Sequence, residues 1–476
     1  MKPNLWGVPA AAFTALLLAN NAMAQETAPS REQLDAMKSQ LIQLQKKVDS
    51  LQGRVTDQEK RAVDVSAADV KAKAKKAPPG PIVQMTSGNR PGICTYDKYN
   101  CLFITGRLHF DAAAYSYQPA SALTAPQNPH NGINARRARI GLAGNFMRDW
   151  HWTIVGDFGG SQDGAGVLNN ALIQYRGFGN TWIEAGYMDV PYTLDEQVGS
   201  NNILFMERAT AQVLAVDIGA GDNRSAFGFR NFGKMHWIGS YITGPVAGAD
   251  HTTRANVAVT ARGVFVPVRT NDFTFMVEGD YQKLITPQTS ATLRLRDRIE
   301  VRVDPGVRLL DTGALAEVTG ADVFSGGFAG AWNAFYFQGE YFNYQIERTV
   351  GGDAEFDGGY VQAAFALTGE SRRYSESNGA FGGINPKKPF LMGTGGWGAW
   401  EVAARYSYAN LNDFGAATVV RGGTQRNTTL GLNWYPNQNI RFMFNWVHGE
   451  VERFNAANVN LGAEYDVFAT RMQIAF

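Results

Sequence analysis

Residues 102–117 read LFITGRLHFDAAAYSY, and their side chains alternate between two kinds with a period of two. One parity is apolar and consists of Leu102, Ile104, Gly106, Leu108 and Phe110. The other parity is more polar and consists of Phe103, Thr105, Arg107, His109 and Asp111. Because successive side chains of a strand point to opposite faces of a sheet, the pattern predicts a β-strand with one apolar face and one wet face.

The same pattern recurs towards the end of the chain. WEVAARYSY, residues 400–408, sets an apolar face against one that carries Glu401 and Arg405. A soluble β-sandwich would bury the apolar face, whereas a membrane barrel would turn it to lipid and enclose the charges. Periodicity alone does not distinguish these two architectures.

The spacing and the end of the strands favour the barrel. Short turns such as FMRDW and YPNQN alternate with long Gly-rich connections at 159–167 and 369–397, as expected for periplasmic turns and outer loops. The chain stops inside a strand, DVFATRMQIAF, and its last residue, Phe476, is typical of an outer-membrane assembly signal. Aromatic residues also crowd the strand ends, as at Trp434 and Tyr435, which suits a membrane interface.

Sixteen or seventeen segments of alternating residues can be counted between Leu102 and Phe476. We choose sixteen, because single-chain bacterial barrels have even counts, and we interpret the weak segment SAFGFRNF as a loop. The predicted fold is therefore all-β: a transmembrane antiparallel barrel of about sixteen strands over residues 102–476, wide enough for an aqueous channel.

The N-terminal region predicts export. Residues 1–24 combine an early Lys, an apolar run and small residues before a cleavage site, as in a secretory signal peptide. Cys94 and Cys101, in the lead-in at 82–101, are the two cysteines of the chain, and we expect them to form a local disulfide.

Between the signal and the barrel, the period changes to that of a helix. Residues 30–61 contain an apolar heptad series that predicts a periplasmic coiled coil: Leu34, Met37, Leu41, Leu44, Val48, Leu51 and Val55. The alternative is an amphipathic helix packed on its own barrel. Residues 62–81, rich in Ala, Lys and Pro, predict an extended linker, either a solvated spacer or a contact with peptidoglycan.

Several blocks of the barrel sequence resemble, in order, the phosphate-selective porins O and P. The most specific are FMER (205–208), LTGESR (367–372) and GAWEVAARYS (398–407), and the resemblance covers about residues 100–476. It implies a trimeric outer-membrane porin with an arginine-lined pore that is narrowed by an inward-folded third loop. Some members also begin with a periplasmic coiled coil.

The resemblance carries three residues into the constriction. Arg136 and Arg137 match paired arginines on an early strand, and Arg208 matches an arginine of the inward loop. The family's ladder of further arginines and its lysine match no position here by motif. The loop also holds five acids, which predicts weaker phosphate binding than in the family: Asp189, Asp195, Glu196, Glu207 and Asp217.

The barrel's bulk charge does not favour anions, since residues 82–476 contain 27 Arg, 5 Lys and 35 Asp plus Glu, a formal charge of −3. Any preference must come from local arginines, whose forked donors suit oxyanions. Six lie on the polar parity of their strands and are predicted to line the pore: Arg107, Arg139, Arg262, Arg405, Arg441 and Arg471. We expect roughly half of them to pair with lumen acids and to stiffen the barrel instead.

Enzyme and metal chemistry find little support in the sequence. The six histidines have no Ser partner at a telling spacing, and there is no phosphate loop, HExxH or CxxC pattern. We therefore expect no enzyme activity, no cofactor, no metal site and no nucleic-acid partner.

The expected function is passive diffusion of small hydrophilic solutes, particularly anions such as phosphate or polyphosphate, by a homotrimer that contacts outer-membrane lipid and lipopolysaccharide. A general or carbohydrate-type porin, or a mainly structural cell-wall tether, is the alternative.

Overall fold

The computed structural model describes residues 31–76, 80–86, 89–124, 127–160, 166–219, 223–244, 257–285, 291–393 and 395–476. The chain divides into two compact units, residues 1–79 and residues 80–476. The predicted signal peptide lies outside the described residues. None of the helices in the described part of the chain is both long and apolar enough to cross a membrane.

The first unit contains one long helix, α1 (Arg31–Lys76). The apolar stripe of its first half is exposed: Leu41, Leu44, Val48, Leu51 and Val55 are each at least 47% accessible. The helix continues past the predicted boundary at residue 61, where we expected an extended linker to begin. Ala and Lys, which dominate residues 67–76, are among the best helix formers, and no proline interrupts them before Pro78.

The second unit is built from strands and two short helices, α2 (Leu194–Val198) and α3 (Thr210–Gly219). The strands are β1 Ile82–Met85, β2 Pro91–Cys94, β3 Cys101–Pro119, β4 Gly132–Phe146, β5 Trp150–Asp157, β6 Val167–Phe178, β7 Thr181–Met188, β8 Arg224–Phe232, β9 His236–Thr243, β10 Ala258–Arg269, β11 Phe273–Leu284, β12 Arg296–Asp297, β13 Leu310–Asp311, β14 Val318–Trp332, β15 Phe335–Arg348, β16 Ala354–Ala366, β17 Tyr374–Ser375, β18 Ala380–Phe381, β19 Ala399–Asp413, β20 Val420–Tyr435, β21 Ile440–Glu452 and β22 Ala463–Ala475.

Sixteen of these strands form a closed antiparallel barrel, which confirms the predicted number and fold class. They are β3 to β11, β14 to β16 and β19 to β22, and each pairs with the next one in the series. The barrel closes where β22 pairs with β3, from Ala463 opposite Pro119 to Ala475 opposite Arg107. Strand β8 contains SAFGFRNF, so our interpretation of this segment as a loop was wrong. Its outward residues Phe227 and Phe229 are exposed, as on the other barrel strands.

The two faces of the wall have opposite polarity. On β3 and β19, the outward side chains include the exposed apolar residues Ile104, Phe110 and Val402. Inward side chains are charged or polar and buried, including Asp111 and Glu401, each 1% accessible. A soluble sandwich would have the reverse arrangement, so the structure decides between the two predicted architectures in favour of the membrane barrel.

The two ends of the barrel differ in their connections. At one end, called the turn end, β3 begins, the chain finishes, and most hairpins close with two to four residues, as at 147–149 and 436–439. At the other end, called the loop end, longer connections include residues 158–166 and 189–223. Residues 367–398, which we expected among the outer loops, join β16 to β19 at the turn end and are the exception there.

A small hairpin precedes the barrel at the turn end. Strands β1 and β2 pair with each other, and β2 continues onto the start of β3. Cys94 and Cys101 are joined by a disulfide, with their Cα atoms 4.1 Å apart. The Asn89 side chain donates to Asn439 Oδ1 at 2.8 Å, which attaches the hairpin to the turn between β20 and β21.

Candidate channel and its constriction

Residues 189–223, called the inward loop, join β7 to β8 and fold into the lumen. Apolar residues of the loop pack on one side of the wall, with Tyr192 and Leu214 among Phe342 and Tyr344. All four side chains are completely buried, so this part of the loop shares a hydrophobic core with the wall. Apolar burial of this kind fixes a loop firmly against a barrel wall.

Wall side chains also hold the backbone of the inward loop. Arg441 Nη1 donates to Ile203 O at 2.8 Å, and Arg405 Nη1 donates to Glu207 O at 3.0 Å. Glu340 accepts the backbone N–H groups of Leu194 and Asp195 at 2.8 and 3.1 Å. Because these are charge-assisted bonds in a buried setting, they leave the loop little freedom.

A second segment enters the lumen from the turn end. Residues 367–398, called the turn-end loop, carry the short hairpin β17–β18. Arg262 Nη1 donates to Asn378 O at 2.9 Å, and Arg372 Nη1 donates to Asn202 O of the inward loop at 2.8 Å. The two loops therefore meet inside the barrel and narrow it from both ends.

At the constriction, one carboxylate is surrounded by arginines. The nitrogen atoms closest to Glu207 belong to Arg471 at 2.8 Å, Arg136 at 2.9 Å, Arg302 at 3.5 Å and Arg137 at 3.9 Å. Burial by itself would raise the pKa of Glu207, but these arginines hold it well below its ordinary value. Glu207 is therefore ionised and is the common partner of Arg136 and Arg137, two of the three predicted constriction residues.

The third predicted residue, Arg208, points to a different place. Its Nε lies 3.3 Å from Glu196 Oε2 and 3.8 Å from Asp195 Oδ2, within the inward loop itself. The structure thus brings Arg136 and Arg137 together but places Arg208 with loop acids.

The five acids of the inward loop are mostly neutralised. Asp195, Glu196 and Glu207 are buried and face arginines, while Asp189 and Asp217 are exposed and lie near Arg107 and Arg224. Nearby arginines therefore weaken the opposition to anions that we expected from the five loop acids.

Residues 285–317, called the arginine loop, supply cations that we did not select from the sequence. Every second residue of this loop packs against the barrel wall and is almost inaccessible, as for Ile299 and Val301. The opposite parity carries arginines that are at least partly exposed: Arg294, Arg296, Arg298 and Arg302. Burial and the nearby charges of Arg302 and Arg308 lower the pKa of Arg298 to about 10, which leaves it charged at neutral pH.

A sequence signal for this row existed. RLRDRIEVR, residues 294–302, alternates arginine with mostly apolar residues, the same period of two that predicted the strands. The segment belongs to the connection between β11 and β14, and its place in the barrel follows from packing against distant residues such as Met443 and Val447.

An open cavity of about 650 Å³ lies in the turn-end half of the channel. Its walls come from β3 to β6, the inward loop, the turn-end loop and the last strands. The charged residues that line it are four arginines and one acid: Arg90, Arg107, Arg139, Arg441 and Asp189. Most other lining groups are amides and hydroxyls, such as Asn169 and Thr153, which suit a hydrated path.

The six predicted pore-lining arginines fall into two groups. Arg107 and Arg139 line the open cavity, where Arg139 also pairs with Asp157 at 2.6 Å, and Arg441 borders it but is only 2% accessible and holds the inward loop. The other three are at most 3% accessible and bind acids: Arg262 to Glu278, Arg405 to Glu300, and Arg471 to Asp111. Parity placed all six on the inner face, but of these six the folded structure leaves only Arg107 and Arg139 partly accessible.

Comparisons with known proteins agree with this architecture. Residues 104–476 match the sequence model of the family described as Phosphate-selective porin O and P. Porin O of Pseudomonas aeruginosa is 27% identical over 410 residues, which is 81% of this chain and 90% of that protein. An uncharacterised protein of Caulobacter vibrioides is 26% identical over 337 residues, or 66% of this chain and 62% of its own length.

Solved structures resemble the chain more distantly. An anion-selective porin from Comamonas acidovorans is 11% identical, with a TM-score of 0.47, over 79% of this chain and 100% of that chain. The outer membrane channel DcaP of Acinetobacter baumannii is 10% identical, with a TM-score of 0.47, over 79% of this chain and 97% of its own. Scores this low carry no argument about function. The sequence match, in contrast, spans nearly the entire barrel, and the chain therefore belongs to the phosphate-selective porin O and P family.

Proposed function

We propose that the protein is an outer-membrane porin whose water-filled channel favours small anions. The observation that carries this proposal is the lining of the open cavity, in which four arginines outnumber one acid, even though one of them, Arg139, also pairs with Asp157. The family membership supports a channel, and the charge placement supports its sign. The bulk charge of the barrel, which is slightly negative, does not contradict this, because fixed charges at a narrow site dominate the local potential.

The arginines form a path on either side of the constriction. The arginine loop brings Arg302 to Glu207 and Arg298 close to Arg302, and Arg139 and Arg107 continue into the open cavity. An arginine about 4 Å from a passing anion contributes on the order of 4 kcal/mol at an effective dielectric near 20, before desolvation. A succession of such sites draws anions in without one dominant trap.

Phosphate is the anion class that this path suits best. Guanidinium groups bind tetrahedral oxyanions through paired donors, and the cavity adds amide donors such as Asn169 and Asn202. Asp189, which is exposed at the same cavity, works against tight binding. We therefore propose permeation with moderate phosphate affinity.

For the assembly, we propose a homotrimer whose α1 helices form a periplasmic coiled coil. The exposed apolar stripe from Leu41 to Val55 needs partners, because a helix with such a stripe is marginal alone in water. A trimer of barrels would hold three N-termini close together and raise their effective concentration enough to associate. Contacts of the protein with lipopolysaccharide and of the region before the barrel with peptidoglycan belong to the same proposal.

The test is the reversal potential of single channels in planar bilayers under a KCl gradient. We expect anion preference, and we expect Arg107→Gln and Arg302→Gln each to shift the reversal potential towards cations. Arg426→Gln is the matched control, since Arg426 lies on the outward parity of β20 and pairs with Glu452. Added phosphate should reduce the chloride current of the parent channel more than that of Arg107→Gln.

Cation preference in the parent channel would overturn the proposed selectivity. A folded barrel that gives no conductance steps would instead favour the structural alternative.

A further inference from the structure

Behind the inward loop, three carboxylates from two barrel strands meet in a closed space. Glu278 and Asp280 lie on β11 and Glu340 lies on β15, and one oxygen atom of each is within 4.8 Å of the others. All three residues are at most 9% accessible. The register explains the approach, because Glu278 and Glu340 both lie opposite Gly327 of the intervening strand β14.

Gly327 is what allows the two carboxylates to reach each other. A Cβ atom at this position would lie 2.9 Å from Glu340 Cγ and 3.2 Å from Glu278 Cγ. A residue with a side chain would therefore fill the space that the two acids share. The wall is shaped here around converging carboxylates instead of around an apolar contact.

The charges of this cluster do not balance. Arg262 is the basic partner, 2.6 Å from Glu278 and 3.7 Å from Asp280. Glu340 forms no salt bridge in the described part of the chain, and it accepts N–H groups of the inward loop and the Tyr360 hydroxyl instead. Three carboxylates against one guanidinium leave a formal charge of −2 in a buried site, which is costly without compensation.

Oxygen atoms without hydrogen-bond partners show where a positive charge could bind. Among the described residues, Glu278 Oε1 and Asp280 Oδ1 are buried and have no hydrogen-bond partner. The hydroxyl of Tyr192, from the inward loop, is completely buried and also lacks a partner of good geometry, although it lies beside Ser325. Burial and the charge of Asp280 raise the pKa of Tyr192 well above its ordinary value, so this hydroxyl stays neutral and faces the acids.

We propose that Glu278, Asp280, Glu340 and Tyr192 bind a divalent cation, with Ca²⁺ as the best fit. The donors are all hard oxygen atoms, and a charge of −2 matches a divalent ion. Ca²⁺ accepts several protein oxygen atoms in flexible geometry, whereas Mg²⁺ demands a near-ideal octahedron and usually keeps several waters, so an enclosed set of protein oxygen atoms suits Ca²⁺ better. The ion would join the wall to the inward loop and thereby help to hold the constriction in place.

The test uses the full-length protein in detergent after treatment with EDTA. Tb³⁺ serves as a luminescent probe for Ca²⁺ sites, and the temperature at which the barrel unfolds on gels is recorded with and without CaCl₂. We expect Ca²⁺ to raise the unfolding temperature and to displace Tb³⁺. Glu278→Gln and Asp280→Asn should each weaken Ca²⁺ binding by about tenfold or more, and Tyr192→Phe, which keeps every charge, should weaken it less.

Glu184→Gln is the control, because Glu184 is equally buried but is bound by Arg230 at 2.7 Å on another part of the wall. It should retain the full response to Ca²⁺ even if its starting stability is lower. Equal binding by the parent and by Asp280→Asn would overturn the proposal. So would a folded parent that binds neither ion, which would mean that the carboxylates share protons instead.

Discussion

At the scale of single residues, Glu207 compensates the charge of the arginines that surround it. Its carboxylate is shared by four arginines, of which Arg136 and Arg302 are 19% and 17% accessible at the side chain. A single acid that compensates several cations lowers their combined field, so a neutral residue at 207 would expose more of it.

We predict that Glu207→Gln strengthens anion preference. Gln keeps the shape and some of the hydrogen bonds of Glu207 but removes its charge, which leaves Arg136, Arg137 and Arg302 less compensated. The reversal potential in a KCl gradient should move towards the value expected for a channel that passes only anions. Asp466→Asn, which removes the same charge from the outward parity of β22, should leave it unchanged. A shift towards cations in Glu207→Gln would contradict the placement of this cluster at the constriction.

The same substitution should change stability in a pH-dependent way. The pKa of Glu207 is held well below its ordinary value of 4.5, so its stabilising effect is fully present above that pH and is lost as the pH falls through the lower, folded-state pKa. We expect Glu207→Gln to cost about 1–3 kcal/mol at neutral pH. In thermal unfolding measured from pH 8 downwards, the gap to the parent should stay constant to about pH 5 and then narrow. A gap that widens on acidification would refute this sign.

Residue-level function was only partly predictable. Parity placed Arg471 and Arg107 on the inner face alike, yet Arg471 is buried against Asp111 and Arg107 lines the open cavity. What separates them is the course of the inward loop, which depends on tertiary packing and leaves no trace in the alternation of a strand.

At the scale of elements, the helix α1 and the barrel are separate units. Within the helix unit, the members of the apolar stripe of α1 are about half exposed. A heptad stripe of this kind is the surface through which helices associate in coiled coils.

We predict that deleting residues 31–76 leaves a folded, conducting trimer. The pairing that closes the wall joins β22 to β3, and the proposed trimer rests on contacts between barrels, so the loss of stability should be modest. Heat-modifiable bands on gels report the trimer, and bilayer recordings report the channel. Point changes that keep the helix but replace Leu44 and Leu51 with Gln provide the control for deletion effects. Monomers in either variant would show that the helix drives assembly.

Element boundaries were predicted less well than element types. The period of two identified the barrel strands, but residues 367–398 were assigned to the wrong end because long connections were equated with outer loops. Because successive strands run in opposite directions, the end at which a connection lies follows from the number of strands before it. Reading β8 as a loop makes this number wrong for the later connections. In the helix, good intrinsic propensity carried the structure past residue 61 to Lys76.

At the scale of the whole molecule, the C-terminal residue completes the wall. The backbone of Phe476 exchanges hydrogen bonds with Gly106, at 2.9 and 3.0 Å, and its ring occupies the space that a Cβ at Gly106 would need. The side chain remains 38% accessible, so little packing depends on it.

We predict that Phe476→Ala lowers the amount of protein in the outer membrane but leaves the surviving channels normal. The backbone contacts with Gly106 persist without the ring, whereas recognition of a terminal aromatic by the assembly machinery does not. Quantified outer-membrane fractions and single-channel conductance measure the two effects. Phe468→Ala, at an exposed outward position on the same strand, is the control. Unchanged yield would remove the argument that this residue is an assembly signal.

The global architecture was the most predictable level. Each barrel strand carries the same inside-outside alternation, so errors at one segment do not alter the class of fold. The filling of the lumen was the least predictable, because the three inward segments are held by contacts between residues far apart in sequence, such as Arg441 with Ile203.

The pairing of β22 with β3 has a consequence for biogenesis. The seam joins Arg107 to Ala475, so the first and last strands of the wall become neighbours only after β22 has been synthesised. Until then both edges are open, and open edges invite pairing with other chains. We expect such a chain to need protection of both edges until β3 and β22 pair, and a variant that lacks β22 to keep two open edges and to aggregate or be degraded.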